Sequence, residues 1–249
     1  PMYFFVPKDF ELMEEYEKGV KVNDLFSLGS GHDKEMVSIQ PFKSADNLPY
    51  CYRPFDTQWI DYDVERIARA RENVMSHLKK ANIALCLIKV NSSSDGLFKV
   101  LVSSGMTDKT ILSSKDNANV FPLYLYTNEF GKETKVANLN DEEWQKFNNS
   151  IGRITPPEEL LAYIYAILHS PSYRERYKEF IKLDFPRIPL PTSESEFVRL
   201  AQIGQQLIDL HMMRNTQSWK CDTTFPEPGS QQNDMLKWKD KQVWINKQQ

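Results

Sequence analysis

The stretch that most constrains the fold is residues 154–191, which reads ITPPEELLAYIYAILHSPSYRERYKEFIKLDFPRIPLP. Thr155 is a good N-cap, Pro156 suits the first helical position, and Glu158 would complete a Thr-x-x-Glu capping box. The helix is predicted to end near His169, because the next residue precedes a proline and disfavours helical geometry. Apolar residues at helical spacing predict one buried face: Leu160, Leu161, Ile164, Ile167 and Leu168.

Two further helices are predicted after this one. The first has an apolar and aromatic side made of Tyr173, Tyr177, Phe180 and Ile181. Residues 184–191 contain three prolines and are predicted to be extended. Ser193 and Glu196 suggest another capping box, which would start a long helix. Its apolar stripe is Phe197, Leu200, Ala201, Gly204, Leu207, Ile208 and His211. We interpret these helices as structural support rather than as a catalytic site.

The preceding part of the chain is rich in β-forming residues. Aromatic and polar residues alternate over 52–62, which predicts strand–turn–strand. Three further runs predict a sheet: residues 83–90, 97–104 and 121–126. A helix is predicted over 64–80, and an irregular excursion over 128–149 with a short helix at 141–147. The predicted fold class is α+β, with a β-rich lobe (47–126) packed on a helical lobe (154–213) and a C-terminal hairpin within 219–249, around Lys239-Asp240-Lys241.

Composition limits the function classes. The net charge of −3 gives no global basic signature, so nucleic-acid binding would need a local positive surface. The three cysteines are widely spaced without a C-x-x-C pair, which argues against disulfides and thiolate metal sites and favours a reducing cytoplasm: Cys51, Cys86 and Cys221. No apolar run has the length of a membrane span.

The catalytic motifs we considered are incomplete. Residues 47–50 (NLPY) differ from the Asn-Pro-Pro-Tyr that adenine methyltransferases use on a flipped base, and are predicted to form a turn. The carboxylates and lysine near 61–65 and 179–182 lack the second half of a magnesium site. The four histidines are too dispersed for a metal site; His211 is predicted to be packed and hydrogen-bonded, and His169 to interact with the helix dipole. We therefore predict no catalytic residue and no metal ligand.

Four segments carry a family resemblance: AYIYAILHSPSYRERYKEFIKLDFPRIPLP, YRPFDTQWIDYD, FPLYLY and LAQIGQQLIDLHMM. In this order they resemble the C-terminal specificity region of type ISP and related type IIG single-chain restriction-modification enzymes, which belong to the adenine-specific DNA methyltransferases. The resemblance implies that residues 1–46 are a linker from a preceding methyltransferase domain. Residues 47–249 would form the target-recognition domain. A Thr-x-Arg-Asp element of the family is missing, so nothing is implied about its role here.

The resemblance also implies partners and cofactors. The partners would be double-stranded DNA and the methyltransferase and nuclease domains of the same polypeptide. S-adenosylmethionine, Mg²⁺ and, where a helicase-like motor is present, ATP would be bound by those other domains. Because further sheet and helix follow in the family, the chain is expected to be a fragment that lacks its own catalysis and cofactors. The implied location is the cytoplasm.

Candidate DNA contacts come from a strand and from a helix. Arg and Gln are the side chains that read guanine and adenine best in the major groove, whereas basic helix faces follow phosphates. The candidates are Arg53, Asp56, Gln58, Arg66, Arg69, Lys79 and Lys80. We rate a structural Arg53–Asp56 salt bridge above direct readout, and ordinary helix surface remains an alternative for the basic residues. Loops 91–96 and 113–119 are further candidates.

Two alternatives to a recognition module remain open. The chain could retain methyltransferase or nuclease activity, in which case it should bind S-adenosylmethionine. It could also be a structural clamp between domains, in which case it should bind DNA without sequence preference.

Overall fold

The computed structural model describes residues 16, 18–28, 47–62, 70–89, 99–129, 132–218, 228–230 and 232–246. The chain divides into two compact units, Pro1–Arg214 and Asn215–Gln249. The described helices of the first unit are α1 (Val22–Leu25), α2 (Glu72–Leu78), α3 (Asp141–Ile151), α4 (Pro157–His169), α5 (Pro171–Arg176), α6 (Lys178–Ile181) and α7 (Glu194–His211). Its described strands are β1 (Val20–Lys21), β2 (Asn47–Arg53), β3 (Asp56–Asp61), β4 (Ala84–Ile88), β5 (Val100–Ser103), β6 (Met106–Thr107), β7 (Ala118–Pro122), β8 (Tyr124–Glu129), β9 (Lys132–Ala137) and β10 (Arg187–Ile188).

A three-stranded antiparallel sheet, in the order β5-β4-β7, separates two hydrophobic cores. Every residue of the central strand β4 is buried, because both faces of the sheet are covered. Leu85 and Leu87 face the core that contains α4 and α7, whereas Ala84 and Cys86 face the core that contains α2 and β6. The predicted sheet is therefore confirmed, with the difference that the third run breaks into β7 and β8.

Helix α4 lies at the centre of the helical core, and its residues from Leu160 to Leu168 are all buried. The predicted single apolar face is thus too narrow, since a helix that is apolar on all sides belongs in an interior. Two tyrosines enter the core because their hydroxyls find partners. Tyr163 donates to the Pro189 carbonyl at 2.9 Å, and the hydroxyl of Tyr165 bonds His211 Nδ1. Helix α7 packs along α4 with Gly204 against the backbone of Ala162.

The N-cap of α4 differs from the prediction, whereas the N-cap of α7 agrees with it. The helix starts at Pro157 rather than Pro156, and the Thr155 side chain bonds Asn148 Oδ1 (2.8 Å) and Trp144 Nε1 (3.1 Å) instead of capping. The predicted Thr155–Glu158 capping box is therefore wrong, because a buried hydroxyl is satisfied by neighbouring side chains of α3 first. At α7 the N-cap is confirmed: the Ser193 hydroxyl accepts from the Glu196 N–H at 3.2 Å.

Four other predicted segments also differ from the structure. Residues 47–50 begin strand β2 and do not form a turn. Much of the predicted irregular excursion is an antiparallel hairpin of β8 and β9, followed by α3 at the expected place. The helix predicted over 64–80 is described from Glu72 onward, and residues 64–69 lie outside the described residues. The helix after α4 is divided at Tyr177 into α5 and α6.

Tyr16, Val20, Val22, Leu25 and Phe26 belong to the helical core. Strand β1 pairs with β10, and the Arg187 N–H donates to the Tyr16 hydroxyl at 3.0 Å. Val22, Leu25 and Phe26 are at most 3% exposed and lie in the same cluster as α4 and α7. The predicted linker therefore contains residues that complete this core, and the domain boundary at residue 47 stays a prediction.

The second unit contains a C-terminal hairpin. Strands β11 (Lys237–Lys239) and β12 (Gln242–Trp244) pair antiparallel across a two-residue turn. Asp240 and Lys241 have φ of 55° and 62°, as a type I′ turn requires. The predicted hairpin around these residues is confirmed, and together with the packed sheets and helices it confirms the α+β class.

Candidate nucleic-acid interface

Strands β2 and β3 form a projecting hairpin. Pro54 and Phe55 make a two-residue turn, with Phe55 in the left-handed region at φ 63°. The register shifts between Cys51 and Arg53, so the hairpin has a bulge next to its tip. The extra residue is Tyr52, which has no partner on β3 and directly precedes Arg53.

Arg53 is held from two sides. Its guanidinium lies 4.0 Å from the centre of the Tyr52 ring. Its Nη1 donates to the Tyr52 carbonyl at 2.6 Å and contacts Asp108 Oδ1 at 3.4 Å. The predicted Arg53–Asp56 salt bridge is therefore wrong, because the carboxylate that Arg53 meets is that of Asp108, directly after β6, rather than one from its own hairpin. Both polar contacts use Nη1, and within the described residues Nε and Nη2 have no partner.

Asp108 organises the base of this hairpin. Its carboxylate accepts hydrogen bonds from the Tyr50 hydroxyl at 2.6 Å and from the Thr110 N–H at 2.7 Å. Burial alone would raise the pKa of Asp108, but the hydrogen bonds from Thr110 and Tyr50 and the charge of Arg53 lower it. Asp108 is thus a fixed anion that orients Arg53. Sequence reasoning missed it, since it lies 55 residues away from Arg53.

The other two strand candidates form a pair. Asp56 Oδ1 accepts from Gln58 Nε2 at 2.6 Å, and Gln58 is exposed. Large aromatic residues surround this pair on the same hairpin and are exposed by 41%, 65% and 70%, respectively: Tyr52, Phe55 and Trp59. Exposed aromatics concentrated on one projecting element indicate an interaction surface. Their alternation with polar residues in YRPFDTQWI was the available sequence signal.

The predicted basic face is only partly observed. Lys79 lies over the Tyr62 ring, with Nζ 4.5 Å from its centre, next to the end of β3. Lys80 forms an ion pair with Glu133 of β9 and lies near the Tyr126 ring. Its charge is therefore offset, so Lys80 does not extend a free basic face. Arg66 and Arg69 lie outside the described residues.

A comparison with protein-family models identifies the chain. Residues 8–249 match the model of the Type ISP C-terminal specificity domain. The chain belongs to this family. The resemblance seen in the four sequence segments is confirmed. A comparison with curated proteins finds no match to this specificity domain.

Solved structures resemble the specificity domain over most of its length. They include the ATP-dependent Type ISP restriction-modification enzyme LlaBIII bound to DNA, with a TM-score of 0.64 and 21% identity over 85% of this chain. A nuclease-deletion mutant of the Type ISP enzyme LlaGI with a DNA substrate mimic gives 0.57 and 21% over 83%. The DrdV–DNA complex gives 0.57 and 26% over 71%. The chain spans 14–16% of the length of these three proteins.

Within the part of the chain that the structure describes, no group of His, Cys, Asp and Glu is placed to hold a metal ion. Cys51 and Cys86 are free, and no described helix is long and apolar enough to cross a membrane. In loop 113–119, the Ser113 hydroxyl donates to the buried Asp116 at 3.1 Å, so this candidate loop is folded onto itself. Residues 91–96 lie outside the described part of the chain.

A cluster of rings lies behind the hairpin tip. The Phe55 ring meets His211 edge-on at 6.2 Å between centres, and His211 bonds the Tyr165 hydroxyl, as predicted for a packed histidine. The His169 ring is 5.2 Å from His211, and Arg174 Nη2 is 3.3 Å from His169 Nδ1. Burial, together with the charges of Arg174 and His211, lowers the pKa of His169 to about 4. His169 is therefore neutral at pH 7, so its interaction with the helix dipole, predicted from its place in the last turn of α4, is that of an uncharged ring.

We expect the stability of the specificity domain to decrease in mild acid because of His169. In the unfolded chain a histidine has a pKa of about 6.5. The unfolded state therefore binds more protons between pH 6.5 and 4, and the free energy of unfolding decreases as the pH falls through this range. Below about pH 4 both states are protonated and this loss stops. Because the ring is only partly buried, we expect about 2 kcal/mol rather than the full value of the shift.

Urea unfolding at a series of pH values measures this effect. His169→Gln should flatten the profile between pH 6.5 and 4, although His77 and His211, whose pKa values are also lowered, leave part of the slope. The loss at lower pH through carboxylates such as Asp108 and Asp184 should remain in the variant. Parallel profiles for the two proteins would show that His169 is not the responsible group.

Proposed function

We propose that this specificity domain recognises a short sequence in double-stranded DNA, with the β2–β3 hairpin as the reading element. The observation that carries the proposal is the orientation of Arg53. Tyr52 and Asp108 fix its guanidinium through one nitrogen, while Nε and Nη2 stay available. These two groups form the planar fork that binds both acceptors on the major-groove edge of a guanine.

The surroundings of Arg53 support the same proposal. Gln58 is exposed on the neighbouring strand, and its amide can donate to and accept from an adenine edge. The hairpin aromatics add stacking and apolar contact area. The three similar structures are described as DNA complexes, although each is a much longer protein.

The proposal extends to the rest of the polypeptide. Recognition by this domain would position adenine methylation and cleavage by the methyltransferase and nuclease domains of a cytoplasmic parent enzyme. S-adenosylmethionine and Mg²⁺ would bind those domains, and ATP would bind a helicase-like motor where the parent has one, so the specificity domain itself would be a binding module without catalysis. Binding of S-adenosylmethionine to this chain alone would contradict that division of roles.

The test is selection from a pool of randomised duplex DNA, with the retained molecules sequenced at two salt concentrations. One enriched motif that persists at the higher salt supports recognition. Binding without a motif that disappears with salt would reflect counterion release alone, and the domain would then be a clamp between other domains.

Arg53→Lys gives a sharper prediction. The variant keeps the positive charge but loses the planar fork, so discrimination at one base pair should fall by about 1–3 kcal/mol. This corresponds to roughly 5- to 150-fold in affinity for the selected site, with non-specific binding little changed. Affinities for the selected duplex and a scrambled one measure the effect, and Arg199→Gln on α7 is the charge control. An unchanged selected motif in Arg53→Lys would exclude Arg53 as a base reader.

A further inference from the structure

A cavity of about 330 Å³ lies between the hairpin, β6 and helix α2. Its apolar lining includes two aromatic rings and two thioether side chains. The apolar residues are Tyr50, Ile60, Tyr62, Met75, Met106 and Val120. The volume is at the lower end of the range for small-ligand pockets, about 300–1,000 Å³. Flat rings and polarizable sulfur atoms are suited to packing against a planar ring.

The cavity continues the face of the sheet that bears Gln58. Tyr50 pairs with Gln58 on one side and with Met106 on the other, so the three side chains share one face. Ile60 follows Gln58 by two residues and therefore lies on that face too. A nucleotide that leaves a duplex bound at the exposed end of the hairpin would meet this cavity next.

Thr107 borders the cavity, but its hydroxyl does not face it. Thr107 pairs with Cys51, so its side chain lies on the other face of the sheet from Tyr50 and Met106, and its unpartnered hydroxyl is shielded from the cavity. The neighbouring Asp108 carboxylate is already occupied by Tyr50, Thr110 and Arg53.

Two cations line the same cavity. Arg71 and Lys109 form no ion pair within the described part of the chain. Arg71 has φ 51°, the left-handed region that side chains other than glycine avoid, at the residue before α2. Strained residues of this kind concentrate at binding sites, where the surrounding structure maintains the strain.

We propose that this cavity binds a single nucleotide, with the base between the aromatic and thioether side chains and the phosphate near Arg71 and Lys109. An acyl chain would leave the two cations unused, and inorganic phosphate would leave the apolar wall unused. A nucleotide can contact both the two cations and the apolar wall. The source is either an extrahelical nucleotide of bound DNA, which deepens and rests on the proposed function, or a free mononucleotide.

The experiment uses the whole chain and three probes: a perfect 20-base-pair duplex, the same duplex with one extrahelical nucleotide, and the four free deoxynucleoside monophosphates. We expect the extrahelical nucleotide to tighten duplex binding by about fivefold to a hundredfold, which is the range that one base stacked on aromatic side chains contributes. Fluorescence anisotropy measures the duplexes, and calorimetry measures the mononucleotides.

Two variants should weaken nucleotide binding in the cavity in different ways. Ala70→Phe fills it from a partly exposed position, and Arg71→Gly removes a cation from a left-handed backbone where glycine is favoured. Arg71→Gly should therefore not lower the melting temperature. Both variants should reduce the preference for the extrahelical nucleotide to twofold or less. Their affinity for the perfect duplex should stay within twofold of the charge control Arg199→Gln.

The outcomes separate this proposal from the proposed function. Equal binding of the two duplexes and no mononucleotide binding would overturn the cavity proposal, while binding of the perfect duplex would leave DNA recognition in place. Mononucleotide binding that Ala70→Phe abolishes, without binding of either duplex, would support the cavity and overturn DNA recognition. A preference for the extrahelical nucleotide that Ala70→Phe and Arg71→Gly retain would also overturn the cavity proposal, because the site would then be elsewhere.

Discussion

Replacing Gly204 by alanine is expected to lower the free energy of unfolding by about 3 kcal/mol, the upper part of the usual range for overpacking. An alanine Cβ would lie 1.8 Å from the Ala162 carbonyl oxygen and 2.6 Å from its carbon. Because the atoms in the way belong to the backbone of Ala162, α7 must move away from α4. The core contacts along both helices would then loosen. For a domain of this size the melting temperature should fall by about 10 °C.

Gly105→Ala is the matched control, because its Cβ would lie 3.4 Å from the Pro49 carbonyl oxygen, an ordinary contact distance. Urea unfolding of both variants should give a much lower midpoint for Gly204→Ala and a change of less than about 1 kcal/mol for Gly105→Ala. Similar midpoints would mean that the two helices are free to separate without cost.

Asn138→Ala is also expected to lower the free energy of unfolding by about 3 kcal/mol. The side chain is fully buried and joins two distant segments: Nδ2 donates to the carbonyls of Leu28 and Pro122, and Oδ1 accepts from the Leu28 N–H, each at 2.7 Å. Alanine would leave three backbone groups without these partners, and each buried unsatisfied group costs about 1–3 kcal/mol. Partial access of water to Leu28 keeps the sum near the lower end.

Asn149→Ala provides the comparison for Asn138. Its exposed side chain accepts from Gln145 at 2.8 Å on the surface of α3, where water replaces the lost contact. Thermal unfolding should show a shift of several degrees for Asn138→Ala and almost none for Asn149→Ala. Equal shifts would indicate that the buried amide adds nothing beyond a surface contact.

Local signals account for the parts of the fold that the sequence predicted well. The end of α4 at His169 follows from the proline after Ser170, and the start of α7 follows from the Ser193 hydroxyl. Strand β4 was recognisable from its continuous apolar run. Thr155 shows the limit of such signals, since it has the right residue type for a cap but is recruited by Asn148.

The candidate site depends on contacts that no local pattern contains. Arg53 and Gln58 were identifiable as charged and polar residues among aromatics, but the partner of Arg53 is Asp108, which follows β6. The cavity requires Met106 to lie beside Tyr50, and that contact follows from the parallel pairing of β2 with β6. Reasoning from residue types therefore identified Arg53 and Gln58 but not Asp108, which orients Arg53.

The pairing of β1 with β10 has a consequence for how the protein is made. Gly19 contacts Arg187, which follows it by 168 residues. On a ribosome that adds about 5–20 residues per second, roughly ten to thirty seconds pass before this partner exists. Throughout that interval Val22, Leu25 and Phe26 have no core to enter, so the nascent chain should be a client of chaperones until residue 188 has emerged.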